Sequence, residues 1–209
     1  MSVQITWIAH ASFRIAGGQA VVYIDPWQLP QRSEDAHLVL VSHGHYDHCS
    51  SEDVGKVAAA GTVVLAPADT AGTFANARAL APGDTETVAG VTVQAAAAYN
   101  IGKAFHPKAN NWIGAVMTID GKRIYYAGDT DRIPEMGQLG DIDLALLPVG
   151  GTYTMDADEA AAACADIGCA AAIPYHWGEI IGSVADARKF ADAAACPVHV
   201  LQPGESITL

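Results

Sequence analysis

The stretch His43-Gly44-His45-Tyr46-Asp47-His48 puts three imidazoles and one carboxylate into six residues of a chain that has only eight histidines. Neutral imidazole nitrogen and carboxylate oxygen are ordinary ligands of zinc and related divalent ions. Two histidines one residue apart can reach the same ion from a turning backbone, and the Asp47-His48 pair that follows can point to a second ion beside it. The competing reading is a polar loop whose histidines bond to backbone carbonyls. An isolated histidine would favour that reading. Three histidines and an aspartate straight after an apolar run favour metal.

A two-ion site needs ligands from elsewhere. "YYAGDT" places Asp129 at the end of one β-prone run, and "IPYHWG" places His176 at the end of another. An aspartate can bridge two cations and offset their mutual repulsion, and His176 can complete the second coordination sphere. Taken singly, Gly-Asp-Thr is a turn and a strand-end histidine is an ordinary structural residue. Their weight comes from sharing the strand-end position of His43.

HGHYDH, followed by "YAGDT" and the late "YHWG", resembles the metallo-β-lactamase superfamily, whose shared motif is H-x-H-x-D-H. The early "TWIAHASFRI" and "IDPW", with "LLPVGGTYTMDADEAA" and the "LQPGE" ending, look like its small branch of metal-dependent hydrolases, which is similar to ascorbate phosphate lactonases. The resemblance runs from Ile5 to the C-terminus. It implies a four-layer αββα sandwich with the site at one edge between the sheets, but not β-lactam hydrolysis, because one fold hosts many reactions. It also implies that His43 and His45 bind the first ion, Asp47 and His48 the second, that Asp129 bridges, and that His176 joins the second ion. The family expects one more histidine between the motif and the aspartate. Alignment puts Tyr99-Asn100 near that position, and His106, the only histidine between His48 and Asp129, is displaced several residues into the loop. His106 is the candidate for this ligand. The resemblance further places His10 near the metal edge, where it can contact substrate or donate a proton. A buried histidine satisfied by backbone groups is the alternative. Asp25, in "IDPW", reads as a residue that orients a metal-bound histidine or caps the turn.

The elements that must position these residues are short strands and helices. "VQITWIA", "SFRIA" and "AVVYID" are β-rich runs, and "AHLVLVS" is a nearly continuous apolar run, as expected of a strand covered on both faces. "SSEDVGKVAAA" predicts a helix with Ser51 as N-cap, and "TVVLAP" a returning strand. "TETVAGVTVQAAAA" predicts a strand pair turning near Gly90, and "YNIGKAFHPKANNW" a long loop. "IGAVMTIDGKRIYYAG" carries a hairpin signal at Asp120-Gly121. "DIDLALLPVG" and "AAAIPYHW" read as strands, "MDADEAAAACADI" and "SVADARKFADAAA" as helices, and "PVHVLQPGESITL" as strand-like pieces. Two groups of strands with accompanying helices fit an α/β architecture in which two sheets pack together with helices outside.

The 209 residues are most simply one domain. Eleven Lys and Arg against twenty-three Asp and Glu give a net charge of −12, which repels nucleic acid and anionic membranes. The first twenty residues lack a signal-peptide pattern, and no apolar run is long enough to span a bilayer. Cys49, Cys164, Cys169 and Cys196 show no CxxC or disulfide-framework spacing, which suits a reducing cytoplasm. His37, His199 and Cys49 read as structural or packing residues; Trp177 and Tyr153 read as pocket walls or ordinary packing. Lys103 and Lys108 flank His106 as either a solvated pair or a lid attracting an anionic group.

The resulting expectation is a metal-dependent hydrolase. One or two divalent ions, zinc first with Mn, Fe or Ni as alternatives, hold a hydroxide that attacks an ester, lactone, amide or phosphodiester of a small anionic substrate. Asp47 serves as ligand and proton acceptor. An iron-dependent redox enzyme and a non-catalytic metal- or ligand-binding protein are the alternatives, and self-association into a homo-oligomer is open.

Overall fold

The computed structural model describes residues 2–209. The strands are β1 (Val3–Ala9), β2 (Ser12–Gly17), β3 (Ala20–Ile24), β4 (Ala36–Leu40), β5 (Ala58–Ala66), β6 (Ala77–Ala79), β7 (Thr85–Val88), β8 (Val91–Ala97), β9 (Ile113–Ile119), β10 (Lys122–Tyr126), β11 (Leu144–Pro148), β12 (Ala172–Tyr175) and β13 (Ser206–Thr208). The helices are α1 (Ser51–Val57), α2 (Ala68–Ala71), α3 (Ala157–Ile167) and α4 (Val184–Ala193). One sheet has seven strands in the order β13-β1-β2-β3-β4-β5-β6, and the other has six in the order β12-β11-β10-β9-β8-β7.

The layers follow from which faces are apolar. In β1, Val3, Ile5, Trp7 and Ala9 are buried at every second position, the period of a strand with one face on the core. Every residue of β11 and β12 is buried, as parallel strands covered on both faces require. The larger apolar cluster joins Ile5 and Phe13 of the first sheet to Val93 and Met117 of the second, and reaches Ala160 of α3 and Phe190 of α4. A smaller cluster packs Val39 and Val64, on the other face of the first sheet, against Val54 and Val57 of α1. The order is therefore helix, sheet, sheet, helix: the expected four-layer αββα sandwich.

Strand direction decides where functional residues gather. β3, β4 and β5 are mutually parallel, and β1 runs with them because two antiparallel steps through β2 restore its direction. In the second sheet β10, β11 and β12 are parallel, and β8 runs with them through the antiparallel β9. The C-terminal ends of β1, β3, β4, β8, β10 and β12 lead to the candidate residues. Backbone bonds from Ile113 N–H to the Ser42 carbonyl (3.1 Å) and from His176 N–H to the His10 carbonyl (3.0 Å) tie the sheets together there.

Several local expectations need correction. The cap of α1 is Ser50, not Ser51: Ser50 has extended dihedrals and its side chain accepts from Asp53 N–H. The helix stops at Val57, and Ala58–Ala60 open β5 instead. In the C-terminal stretch only Ser206–Thr208 forms a strand, beside an isolated bridge from Ala172 to Val198. The short α2 and β6 have no clear periodic signal and were not expected. The hairpin at Asp120-Gly121 forms as expected, with φ of 49° and 78° at the two turn residues. Among the described residues no helix is long and apolar enough to cross a membrane.

The cap assignment is testable. Ser50→Ala is expected to lower the unfolding free energy by about 1 kcal/mol in urea titrations. Ser51→Ala, which removes no cap, is expected to change it by less than about 0.5 kcal/mol.

Candidate metal centre

Each strand end delivers one part of the site. β1 carries a register shift between Trp7 and Ala9, directly before His10, and such an irregularity re-aims the next side chain. β3 leads to Asp25, and β4 leads through Val41 to Ser42 and His43. The motif then folds back on itself, with the N–H groups of His48 and Cys49 donating to the His45 carbonyl at 3.0 and 2.9 Å. From the second sheet, β8 leads to Asn100, β10 to Asp129 and β12 to His176.

Two donor groups result. His43, His45 and His106 form one, and His10, Asp47, His48 and His176 the other; within each, one ligand atom per residue lies within 4.8 Å of the rest. His43 Nε2 and His45 Nδ1 are 3.0 Å apart. Asp129 stands between the groups. One of its oxygens lies 3.4 Å from His48 Nε2, and the other lies 3.3 Å from His106 Nε2 and 3.1 Å from His176 Nε2. All seven residues expected as ligands, His43, His45, Asp47, His48, His106, Asp129 and His176, thus come together.

The displaced histidine reaches the site because Asn100 holds it. Asn100 Oδ1 accepts from the His106 backbone N–H at 3.0 Å and lies 3.0 Å from His106 Nδ1. The Asn100 amide is oriented in turn by donating to Asp131 (3.0 Å) and to the Tyr153 carbonyl (2.9 Å). With Nδ1 as the donor, His106 turns Nε2 towards Asp129. The chain position that aligns with the family's ligand therefore carries the residue that orients the ligand candidate.

Asp25 performs the same task for His48. Its carboxylate accepts from Ser42 N–H (2.7 Å), Ser42 Oγ (2.5 Å) and Tyr126 Oη (2.6 Å), and lies 2.8 Å from His48 Nδ1. This leaves His48 Nε2 facing inward, as a histidine oriented for metal would be. Trp112 was not singled out from sequence; its ring lies 4.9 Å from His43, 5.0 Å from His45 and 5.7 Å from His106. Its only sequence signal was an aromatic at the end of a Gly- and Asn-rich loop. His10, Asp25 and His176 all have positive φ (45°, 41° and 61°), a strained conformation for residues with a Cβ that clusters at functional sites.

His10 requires a correction. It is buried behind Asp47, with Nε2 3.1 Å from Asp47 Oδ2, and it is not among the residues lining the cavity over the site. A substrate contact or direct proton donor would face that cavity; the contact His10 makes instead is with the Asp47 carboxylate.

Burial and neighbouring charge set the protonation of the cluster. Desolvation is the largest influence on His43, His45 and His10 and lowers all three, favouring the neutral imidazole that binds metal. Desolvation also opposes charge on His48, yet Asp129 and Asp25 outweigh it and raise that imidazole well above its usual value. For Asp129, burial would raise the carboxyl, but His176 and His48 outweigh it and hold it well below the usual range. For Asp47 burial is again the largest single influence and raises the carboxyl, but the bond to His10, the charge of His48 and a backbone hydrogen bond together outweigh it and lower it. The pocket therefore keeps its carboxylates ionised and attracts positive charge.

The donor set fits a metal on a second ground. Seven buried side-chain polar atoms among the described residues have no hydrogen-bond partner, and six belong here: His10 Nδ1, His48 Nε2, His106 Nε2, Asp129 Oδ1 and both ring nitrogens of His176. A buried polar atom without a partner costs roughly 1–3 kcal/mol, and an ion among these lone pairs would satisfy several of them at once.

The remaining candidates separate cleanly. Tyr153 lines the cavity, whereas Trp177 packs on Trp7 with ring centroids 4.8 Å apart. His37 Nδ1 accepts from Val21 N–H, and Cys49 packs against the α1 cluster. All four cysteines are free, and Cys164, Cys169 and Cys196 gather at the opposite end of β12 from His176. Lys103 bonds to Asp131 and the Thr154 carbonyl, both at 2.7 Å, and Lys108 to Glu135 at 2.8 Å. Neither lines the cavity, so the lid reading of this pair fails.

Gly150 supports the site from behind, since a Cβ there would overlap the His176 carbonyl oxygen and sit 2.8 Å from Ile181 Cγ2. Gly150→Ala is expected to destabilise the fold by about 1–3 kcal/mol through overpacking, read as a lowered thermal midpoint.

Comparison with known proteins agrees with this geometry. A β-lactamase superfamily domain model matches residues 4–176. A metal-dependent hydrolase of Nitratidesulfovibrio vulgaris is 34% identical over 233 residues, covering 100% of this chain and 96% of the relative. The structure of a metallo hydrolase from Ignicoccus hospitalis superposes with a TM-score of 0.82 at 26% identity, covering 100% of this chain and 99% of the other. A diiron β-hydroxylase from Streptomyces venezuelae (TM-score 0.77, 13% identity, 99% of this chain and 54% of that one) shares the fold alone. The chain belongs to the metallo-β-lactamase superfamily, among its metal-dependent hydrolases.

Proposed function

We propose that the protein hydrolyses a small ester, lactone or phosphodiester with two divalent ions. His43, His45 and His106 would hold the first, Asp47, His48 and His176 the second, and Asp129 would stand between them. The observation that carries this reading is the set of buried, unpartnered nitrogen and oxygen atoms on both sides of the Asp129 carboxylate. The donors are imidazole and carboxylate with no thiolate, a set that suits zinc. Ions bound there would supply Lewis-acid polarisation and bring the pKa of water down to about 7.

The chain's own residues do the rest. Asp47 and Asp129 are the carboxylates that line the cavity. Asp47, held by His10, would take the proton from the attacking water. Asn100 and Asp25 hold the Nδ1 sides of His106 and His48, so that Nε2 of each faces inward, and an ion bound there would take the place of the proton that His48 otherwise holds. No cysteine or serine lines the cavity, and the attack is assigned to water. The cavity, about 240 Å³ and open to solvent, is below the roughly 300–1,000 Å³ usual for drug-sized ligands and suits a small reacting group.

Two measurements test this. His45→Ala and Asp129→Ala are each expected to abolish hydrolysis and lower bound metal while circular dichroism stays that of the native fold; full turnover by either metal-loaded variant would overturn the assignment. Asn100→Ala is expected to weaken metal binding about 10–100-fold in a chelator competition, because His106 loses the group that orients it.

A further inference from the structure

The walls above the metal-binding residues are apolar. Tyr46, Phe105, Tyr153 and Ile180 line the cavity, each from a different loop, above a floor that includes His106, Asp129 and His176. Among the described residues the exposed large hydrophobic side chains are Tyr46, Ile101, Phe105 and Ile180, at 69%, 57%, 43% and 36%. Three of these four line this one cavity, and Ile101 belongs to the same loop as Phe105. Phe105 meets Tyr153 edge to face with centroids 4.8 Å apart, so the rim is a packed surface. Large apolar groups left in water around a concave site mark a ligand contact.

The walls also lack positive charge. No lysine or arginine lines the cavity. Each lysine of the chain is engaged by a carboxylate: Lys56 by Asp53, Lys103 by Asp131, Lys108 by Glu135, Lys122 by Asp143 and Lys189 by Asp158. Bound ions would answer charge developing at the reacting group, but nothing on the walls would answer a phosphate or carboxylate carried elsewhere on the substrate. A net charge of −12 further disfavours such a group.

We propose that the substrate is a neutral ester or lactone with a short hydrophobic arm, and that Phe105, Tyr153 and Ile180 bind that arm. The assignment rests on the hydrolase reading above and narrows it. In the reaction the acyl carbon–oxygen bond breaks and the oxygen of water joins the acyl carbon. One proton of water passes to the departing alkoxide and the other leaves from the new acid. A lactone gives the corresponding hydroxy acid.

The zinc-loaded protein can be assayed on p-nitrophenyl acetate, hexanoate, phenylacetate and succinate, which share one leaving group. Full burial of a methylene is worth about fourfold, so partial burial of the longer arm predicts at least a tenfold higher kcat/KM for hexanoate than for acetate. Phenylacetate is expected to resemble hexanoate, and the anionic succinate to fall below acetate. The Phe105→Ser/Ile180→Ser double variant is expected to reduce the hexanoate-to-acetate ratio to about threefold or less. Calorimetry provides a readout independent of turnover: hexanamide binds with a negative heat-capacity change, succinamate does not bind, and the double variant loses hexanamide binding. Turnover that ignores arm length, that favours succinate, or that keeps its selectivity in the double variant overturns the substrate class alone. Hexanamide binding with no ester turned over overturns the hydrolase reading, and the ester with it.

Discussion

The Asp129 carboxylate is buried where strand ends of both sheets meet, and the rest of the site is arranged around its charge. An ionised carboxylate removed from water is strongly unfavourable unless positive charge or donors surround it. Here it faces His48 from the first sheet and His106 and His176 from the second, all within 3.4 Å. Those imidazoles are themselves buried and short of partners. An ion at the centre would satisfy the carboxylate and the unpartnered imidazole nitrogens together, which is the physical basis for reading the cluster as a metal centre rather than a polar core.

That arrangement depends on strand direction. Because β1, β3, β4, β8, β10 and β12 all point to one edge, residues far apart in the chain emerge side by side. The backbone bonds between Ile113 and Ser42 and between His176 and His10 fix the two edges against each other. Behind the donors lies a layer that sets orientation: Asp25 for His48, Asn100 for His106, His10 for Asp47, and the Trp112 ring against three imidazoles. The positive φ angles at His10, Asp25 and His176 show that the backbone itself is bent to aim these groups.

Much of this was legible in the chain. The H-x-H-x-D-H spacing lies within six residues, so local geometry alone brings its donors near one another. Asp129 and His176 could be found because each follows a β-rich run, and parallel strands present their C-terminal ends together. Asp25 was readable as an orienting residue from "IDPW" after a strand. The sandwich was readable because alternating and continuous apolar runs report which faces are covered. What could not be read was any partnership formed across loops. His106 looked misplaced, because chain distance from the expected position says nothing about a loop that doubles back onto Asn100. For His10 a substrate contact and a buried structural role stay open in the sequence, because sequence cannot say that its ring is buried against Asp47. For Lys103 and Lys108 a solvated pair and an anion-attracting lid are both compatible with the sequence, because their partners Asp131 and Glu135 come from another segment.

The sequence by itself determined the donors, their chemistry and the strands that carry them, since residue type, short spacing and periodicity are properties of neighbouring positions. Only the tertiary structure decided which donors share a group, which nitrogen of each histidine faces inward, and that aromatic and aliphatic side chains from four separate loops form one uncharged rim. Those are distances between residues joined by long stretches of chain, and they are fixed by packing of the two sheets and by hydrogen bonds between loops.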